Sequence, residues 1–142
     1  MNIVRRFKQV SIAFALAVVA GCAGMSGGHS VSVQLTGANE VPPVSTKATG
    51  TGTIVIGADL TVSGKVTTTG VAATAAHIHQ GAAGSNGPVI IPMEKSGDNE
   101  WSIKAGAKLT EAQYAAFKAG GLYVNVHSAA NKGGEIRDQL RP

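Results

Sequence analysis

Apolar and polar residues alternate along most of the chain after its first thirty positions. Residues 31–36 read Val-Ser-Val-Gln-Leu-Thr, and residues 60–67 read Leu-Thr-Val-Ser-Gly-Lys-Val-Thr. A period of two places alternate side chains on opposite faces, which is typical of half-buried strands. Short segments of this kind, separated by Gly, Pro, Asn and Asp, are predicted at residues 31–36, 51–56, 60–67, 75–79, 88–93, 100–103, 122–127 and 135–140. Closely spaced short strands indicate an all-β sandwich or barrel.

One segment departs from this period. Thr110 is followed three residues later by Gln113, which is the pattern of a capping box at a helix start. Tyr114 and Phe117 are three residues apart and therefore share one helix face. A Gly-Gly pair then provides a stop signal. We predict one short helix near residues 110–119, covering one end of the sandwich.

The start of the chain is unlike the rest. Three basic residues lie within the first eight positions, and an uncharged apolar run follows at residues 10–20. As a helix this run would be about 16 Å long, too short to cross roughly 30 Å of hydrocarbon. A basic start followed by a short apolar run and small residues is typical of a secretory signal peptide.

The end of that segment resembles the lipobox of bacterial lipoproteins, since residues 19–22 read Val-Ala-Gly-Cys. The resemblance implies cleavage after residues 1–21 and lipid attachment to Cys22, with an ordinary signal peptide as the alternative. The protein would then be anchored to a membrane of the bacterial envelope. Because Ala23 rather than Asp follows the cysteine, the enterobacterial sorting rule favours the outer membrane.

Removing the signal changes the charge. The whole chain has 12 basic and 8 acidic residues, for a net charge of +4. Taking away the three basic residues of the signal leaves 9 basic against 8 acidic, a net charge of +1. The remaining lysines are dispersed, so we expect no nucleic-acid partner, which would need clustered basic residues. One cysteine also excludes a disulfide framework and a Cys-based zinc site.

Residues 22–30 are small, polar and Gly-rich, which predicts a flexible tether before a single domain at residues 31–142. His29 falls in this tether, and we interpret it as a solvent-exposed linker residue rather than a metal ligand. Nothing in the sequence identifies a protein partner.

The other three histidines carry the chemistry. His77 and His79 point to one face of a strand, roughly 6.6–6.8 Å apart along the chain, so both rings can approach one ion. On the strand at 122–127, Tyr123, Asn125 and His127 lie opposite the apolar face. If the two strands are neighbours, three histidines cluster on the outer face, and Asn125 would serve as a hydrogen-bond partner of a ligand. Spacing alone leaves surface histidines as the alternative.

Four groups of motifs in the chain resemble the CHRD (chordin-type) domain family. These are Gly-Ala-Asn-Glu-Val-Pro-Pro-Val at 37–44, Ala-Ala-His-Ile-His-Gln-Gly at 75–81 with Asn-Gly-Pro-Val at 86–89, Leu-Tyr-Val-Asn-Val-His at 122–127, and Gly-Gly-Glu-Ile-Arg-Asp-Gln-Leu at 133–140. The resemblance covers roughly residues 31 to 140.

The family is in turn similar to the Cu/Zn superoxide dismutases, which implies a Greek-key β-sandwich with a copper site on its outside. His77, His79 and His127 match the copper ligands of those enzymes, and Arg137 matches their substrate-guiding arginine. No histidine lies between His79 and His127 to bridge two metals, so the resemblance implies a copper-only site. Imidazole suits copper and zinc alike, and the Irving–Williams order favours copper over zinc.

Three hypotheses follow. The first is an envelope lipoprotein that binds, buffers or delivers one copper ion through the three histidines. The second is a copper-only superoxide dismutase-like enzyme, in which Arg137 attracts the anion. The alternative interpretation of Arg137 is a surface residue paired with Glu135 or Asp138. The third is a metal-free module that binds another protein.

Overall fold

The computed structural model describes residues 27–142. The predicted signal peptide, Cys22 and most of the predicted tether lie outside the described residues. The strands, in chain order, are β1 His29–Thr36, β2 Thr49–Ile56, β3 Val62–Thr69, β4 Ala73–Gln80, β5 Val89–Lys95, β6 Glu100–Ile103, β7 Leu122–Ser128 and β8 Ile136–Leu140. A 3-10 turn at Gly37–Asn39 and one helix, α1 at Glu111–Lys118, complete the regular structure of the described part.

The strands form one closed antiparallel barrel in the order β1-β2-β3-β6-β5-β4-β7-β8. Closure occurs where Thr36 of β1 pairs with Arg137 of β8. Strands β4, β5 and β6 are consecutive neighbours, and β7 returns to lie beside β4, which is the Greek-key arrangement. The predicted all-β fold with one short helix is confirmed.

The inward side chains of the barrel make a continuous apolar core. Ile78 of β4 and Val124 and Val126 of β7 are fully buried, as their alternation with polar neighbours predicts. Trp101 of β6 is also buried in this core.

Helix α1 begins with the predicted capping box. Thr110 Oγ1 accepts from the Gln113 amide, and the Gln113 side chain accepts from the Thr110 amide. Phe117 is fully buried, so the helix covers the barrel with its apolar face. Within the described part of the chain, no helix has the length and apolar character that a membrane crossing requires.

His29 is not a tether residue, contrary to the prediction. It pairs with Ile56 as the first residue of β1, and it is half-buried. Its ring lies edge-on to Phe117 at a centroid distance of 5.2 Å. His29 packs against the apolar face of α1 through Phe117. The Gly-rich sequence around His29 gave no indication of this distant contact.

Strand β3 begins two residues later than predicted. Leu60 has a φ of 69° in a turn that two backbone hydrogen bonds close, from the Gly57 amide to the Thr61 carbonyl and from the Leu60 amide to the Gly57 carbonyl. The Asp59 carboxylate accepts from the amide and hydroxyl of Thr61, which holds this turn ahead of the strand.

Candidate metal centre

The pairing of β4 with β7 places the three histidines together. These strands are neighbours, with Ala75 opposite His127 and His79 opposite Tyr123. Because Ile78 points into the core, His77 and His79 on either side of it point outward. The expected cluster of three histidines on the outer face of the barrel therefore forms, and it is the one cluster of this kind among residues 27–142.

The three rings face one another. One ring nitrogen from each of the three histidines lies within 4.8 Å of the other two. The closest pair is His77 Nδ1 and His127 Nε2, at 3.0 Å. The ring centroid of His79 lies 5.6 Å from that of His77 and 5.7 Å from that of His127.

Backbone carbonyls fix the tautomers of two of these rings. His79 Nδ1 lies 2.9 Å from the Gly87 carbonyl oxygen, and His127 Nδ1 lies 3.0 Å from that of Lys132. A carbonyl oxygen accepts hydrogen bonds, so each Nδ1 carries the proton and each Nε2 keeps a lone pair. Such a carbonyl partner on the second nitrogen is the usual arrangement of a metal-binding histidine.

His79 provides the clearest indication of a ligand. Its side chain is 8 % exposed, and its buried Nε2 has no hydrogen-bond partner. A buried polar atom without a partner is costly. A metal ion held among the three rings would satisfy this nitrogen, so the residues present suit a bound ion.

Burial keeps the imidazoles neutral. It is the main cause that lowers the pKa of His77, His79 and His127 from the ordinary value of 6.5. The neighbouring rings lower the pKa of His77 further, whereas the carbonyl hydrogen bonds oppose the shift at His79 and His127. Neutral imidazole is the form that binds a metal.

The distances require a small adjustment for shared coordination. Nitrogens bound at about 2.0–2.1 Å to one tetrahedral ion lie roughly 3.4 Å apart. The widest separation, 4.8 Å, exceeds this value by about 1.4 Å, so shared coordination would require the rings to approach one another. His77 and His127 line an open cleft of about 450 Å³ together with Val89 and Lys132, which gives an ion a route of entry.

Arg137 is neither a surface residue nor paired with Glu135 or Asp138. It is 1 % exposed, and no ion pair joins it to a carboxylate within residues 27–142. Its guanidinium carbon lies 3.4 Å from the centroid of the Tyr123 ring. Because β7 carries Tyr123 between β4 and β8, this ring separates Arg137 from His79. Loop residues that cover the outer face account for its burial.

Asn125 does not support a histidine, contrary to expectation. Its side-chain amide donates to the Glu40 carboxylate. Asn125 is 1 % exposed. Burial raises the pKa of Glu40, while the hydrogen bond from Asn125 and the charge of Arg137 oppose that rise. The loop before the two prolines thus folds over β7, and its Glu40 accepts the hydrogen bond that Asn125 was expected to make with a histidine.

Two residues that contact the cluster were given no role from the sequence, although strand alternation places one of them, Tyr123, on the histidine face. Tyr123 stacks on His79 with an interplanar angle of 9° and a centroid distance of 4.9 Å. Its place on the same face as His127 follows from strand alternation, so a signal existed. Gly87 contacts His79 through its backbone carbonyl. It lies in the Asn-Gly-Pro-Val motif at 86–89, but no side-chain pattern indicates this backbone contact.

The fold and site define a Greek-key β-barrel protein with a three-histidine cluster on its outer face. The chain matches the family model of the CHRD domain over residues 31–140. This match covers most of the chain, so the protein belongs to the CHRD family. Comparisons with curated proteins and with solved structures gave no match.

The lowered pKa values predict a pH-dependent stability of the metal-free protein. Below about pH 6.5 the unfolded chain binds more protons than the folded chain at the three clustered histidines. The free energy of unfolding should therefore fall as the pH decreases from about 7 to 5.5, which denaturant titrations at each pH measure. The raised pKa of Glu40 acts in the opposite sense. Near and above pH 4.5, the folded chain binds more protons at this carboxyl group than the unfolded chain does, so this group favours folding as the pH falls.

A triple variant, His77→Gln with His79→Gln and His127→Gln, should show a shallower slope over this range. His29→Gln leaves the cluster intact and serves as the matched control for the replacement of a histidine. Equal slopes in the triple variant and the parent would contradict the assignment.

Proposed function

We propose that this CHRD-family protein binds one copper ion through His77, His79 and His127, and that it serves to bind, buffer or deliver copper. The observation that carries the proposal is the buried, unpartnered Nε2 of His79 beside two further imidazoles within 4.8 Å. Three nitrogen ligands on rigid strands are a typical donor set for a first-row transition metal.

The hydrogen bonds define which atoms would act as ligands. His79 and His127 offer Nε2, since each Nδ1 is occupied by a backbone carbonyl. His77 approaches His127 through Nδ1, so its Nδ1 is the third ligand atom. In the metal-free protein this Nδ1 donates to the lone pair of His127, so His77 would act as a ligand through Nδ1 in the tautomer that carries its proton on Nε2.

Copper is favoured over zinc by the donor set. Imidazole is a good ligand for both ions, and a site of given ligands binds Cu²⁺ more tightly than Zn²⁺ in the Irving–Williams order. Three protein ligands leave one position for an exogenous ligand, reached from the cleft beside His77 and His127. Such a position suits transfer of the ion to another ligand.

The enzymatic hypothesis has less support than copper binding. It relied on Arg137 to attract an anion, but this guanidinium is buried behind Tyr123 and bonds the Ala82 carbonyl at 3.1 Å. The charged residue that lines the open cleft is Lys132 instead. We therefore retain binding or delivery as the proposed role.

Copper titration of the purified protein tests the proposal. The parent should bind one copper per chain, and it should retain copper against an equal concentration of zinc. His77→Ala, His79→Ala and His127→Ala should each lower the affinity by about tenfold or more, measured by competition with a chromophoric chelator. His29→Ala is the matched control and should bind copper like the parent. If the three cluster variants retain the affinity of the His29→Ala protein, the site does not hold the metal.

We also propose that the protein is lipid-anchored at Cys22 in the bacterial envelope, facing the periplasm or the cell surface. The support is the position of the chain's one cysteine directly after a signal-like segment with a lipobox pattern. Cells fed a labelled fatty acid should incorporate the label into the parent but not into Cys22→Ser. Equal labelling of the two proteins, or a soluble unlabelled parent, would contradict the anchor.

A further inference from the structure

Tyr123 lies beside the histidine cluster but is not one of its ligands. It faces His79 across the β4–β7 pair, and it is 3 % exposed. The two rings are 9° from parallel, with centroids 4.9 Å apart. His79 can therefore tilt little toward β7, since the phenol ring occupies that side.

The opposite face of the Tyr123 ring is also covered. The Arg137 guanidinium lies 3.4 Å from the ring centroid, and β7 runs between the strands that carry His79 and Arg137. The guanidinium is held in turn by the Ala82 carbonyl at 3.1 Å and the Gln139 side chain at 3.2 Å. The three side chains form a layer, the His79–Tyr123–Arg137 stack, in which the phenol ring has no free side.

The hydroxyl of Tyr123 reaches the group that fixes the tautomer of His79. Tyr123 Oη accepts from the Gly87 amide at 3.1 Å, and the Gly87 carbonyl accepts from His79 Nδ1 at 2.9 Å. A Cβ atom at Gly87 would collide with the carbonyl of Gln80, so the loop is packed against the end of β4. Tyr123 thus contacts His79 both directly and through Gly87.

We propose that Tyr123 is a positioning residue for the metal ligand His79. Its ring fixes the plane of the imidazole, and its hydroxyl fixes the carbonyl that keeps the proton on Nδ1 and the lone pair on Nε2. The role of His79 as a ligand rests on the proposed function, whereas its fixed orientation is a property of the metal-free protein.

The stack makes the three ligands unequal. His79 is 8 % exposed and held on one face and at Nδ1, whereas His77 and His127 line the open cleft. An entering ion would therefore meet the His79 nitrogen already in place. Of the two rings at the cleft, His127 is held at Nδ1 alone, by the Lys132 carbonyl, and His77 would rotate to complete the coordination. Presetting one ligand lowers the entropy lost on binding.

Three tyrosine variants test the proposal. Tyr123→Phe keeps the stack and removes the hydroxyl, and Tyr123→Leu removes both. Tyr114→Leu is the matched control, since Tyr114 lies on α1 near Phe117 and away from the cluster. Nitrogen-15 NMR of the metal-free proteins reports the His79 tautomer and the exchange of its Nδ1 proton, with His79→Gln identifying the signals. Competition with a chelator reports copper affinity, and circular dichroism reports folding.

The parent and Tyr114→Leu should show a single Nδ1–H tautomer at His79 and equal copper affinity. Tyr123→Phe should exchange the Nδ1 proton faster and bind copper a few-fold more weakly. Tyr123→Leu should show mixed tautomers and a loss of affinity of about tenfold or more, as removal of supporting partners causes at other metal sites.

Parent-like tautomer, exchange and affinity in both Tyr123 variants would overturn the positioning role. If Tyr123→Leu does not fold, Tyr123→Phe decides, and parent-like proton exchange and affinity in that variant overturn the proposal. If the parent binds no copper, the proposed function fails, while the tautomer and exchange measurements still decide the role of Tyr123.

Discussion

The register between β4 and β7 is the constraint on which the site depends. It places Ala75 opposite His127 and His79 opposite Tyr123, so one pairing both gathers the ligands and stacks a phenol ring on one of them. A shift by one residue would turn His77 and His79 into the core and Ile78 outward. Because Ile78 and Val124 are fully buried opposite each other, the hydrophobic core itself holds the histidines in this register.

Many side chains on the outer face of this part of the barrel are buried, as side chains in a protein interior are. Loops lie over β7 and β8, and they bury Asn125 and Arg137 to 1 % exposure. Glu40 accepts a hydrogen bond from Asn125, and Ala82 accepts one from Arg137. The same covering loops provide the carbonyl groups of Gly87 and Lys132 that orient two imidazoles. Burial lowers the pKa of the histidines and leaves one nitrogen without a partner, which together favour a neutral metal-binding cluster.

Much of the fold could be predicted from the sequence because its signals are local. Period-two alternation defined the strands, and the Thr110–Gln113 capping box defined the helix start. The histidine cluster needed one further assumption, that β4 and β7 are neighbours, which the topology confirms. Local patterns do not reveal which residues the loops cover. For that reason neither interpretation of Arg137, an anion-attracting site residue or a surface residue paired with a carboxylate, anticipated its burial, and Asn125 was assigned to a histidine rather than to Glu40.

The supporting partners of the ligands were the least predictable part. Gly87 acts through its carbonyl, and its requirement for glycine comes from a close approach to Gln80. Both residues lie within motifs, but the motifs do not indicate that the two approach each other. His29 was assigned to the tether because its neighbours are small and polar, whereas a contact with Phe117 brings it into β1. Both errors concern tertiary contacts made by backbone or by single side chains, which composition does not encode.

We propose that three imidazoles of this barrel share one copper ion. X-ray absorption spectroscopy at the copper edge of the loaded protein tests it most directly, because imidazole rings give a distinct multiple-scattering pattern. We expect three imidazole nitrogens at about 2.0–2.1 Å from copper in the parent and two in His79→Gln. A spectrum without imidazole scattering, or one that is unchanged in His79→Gln, would contradict it.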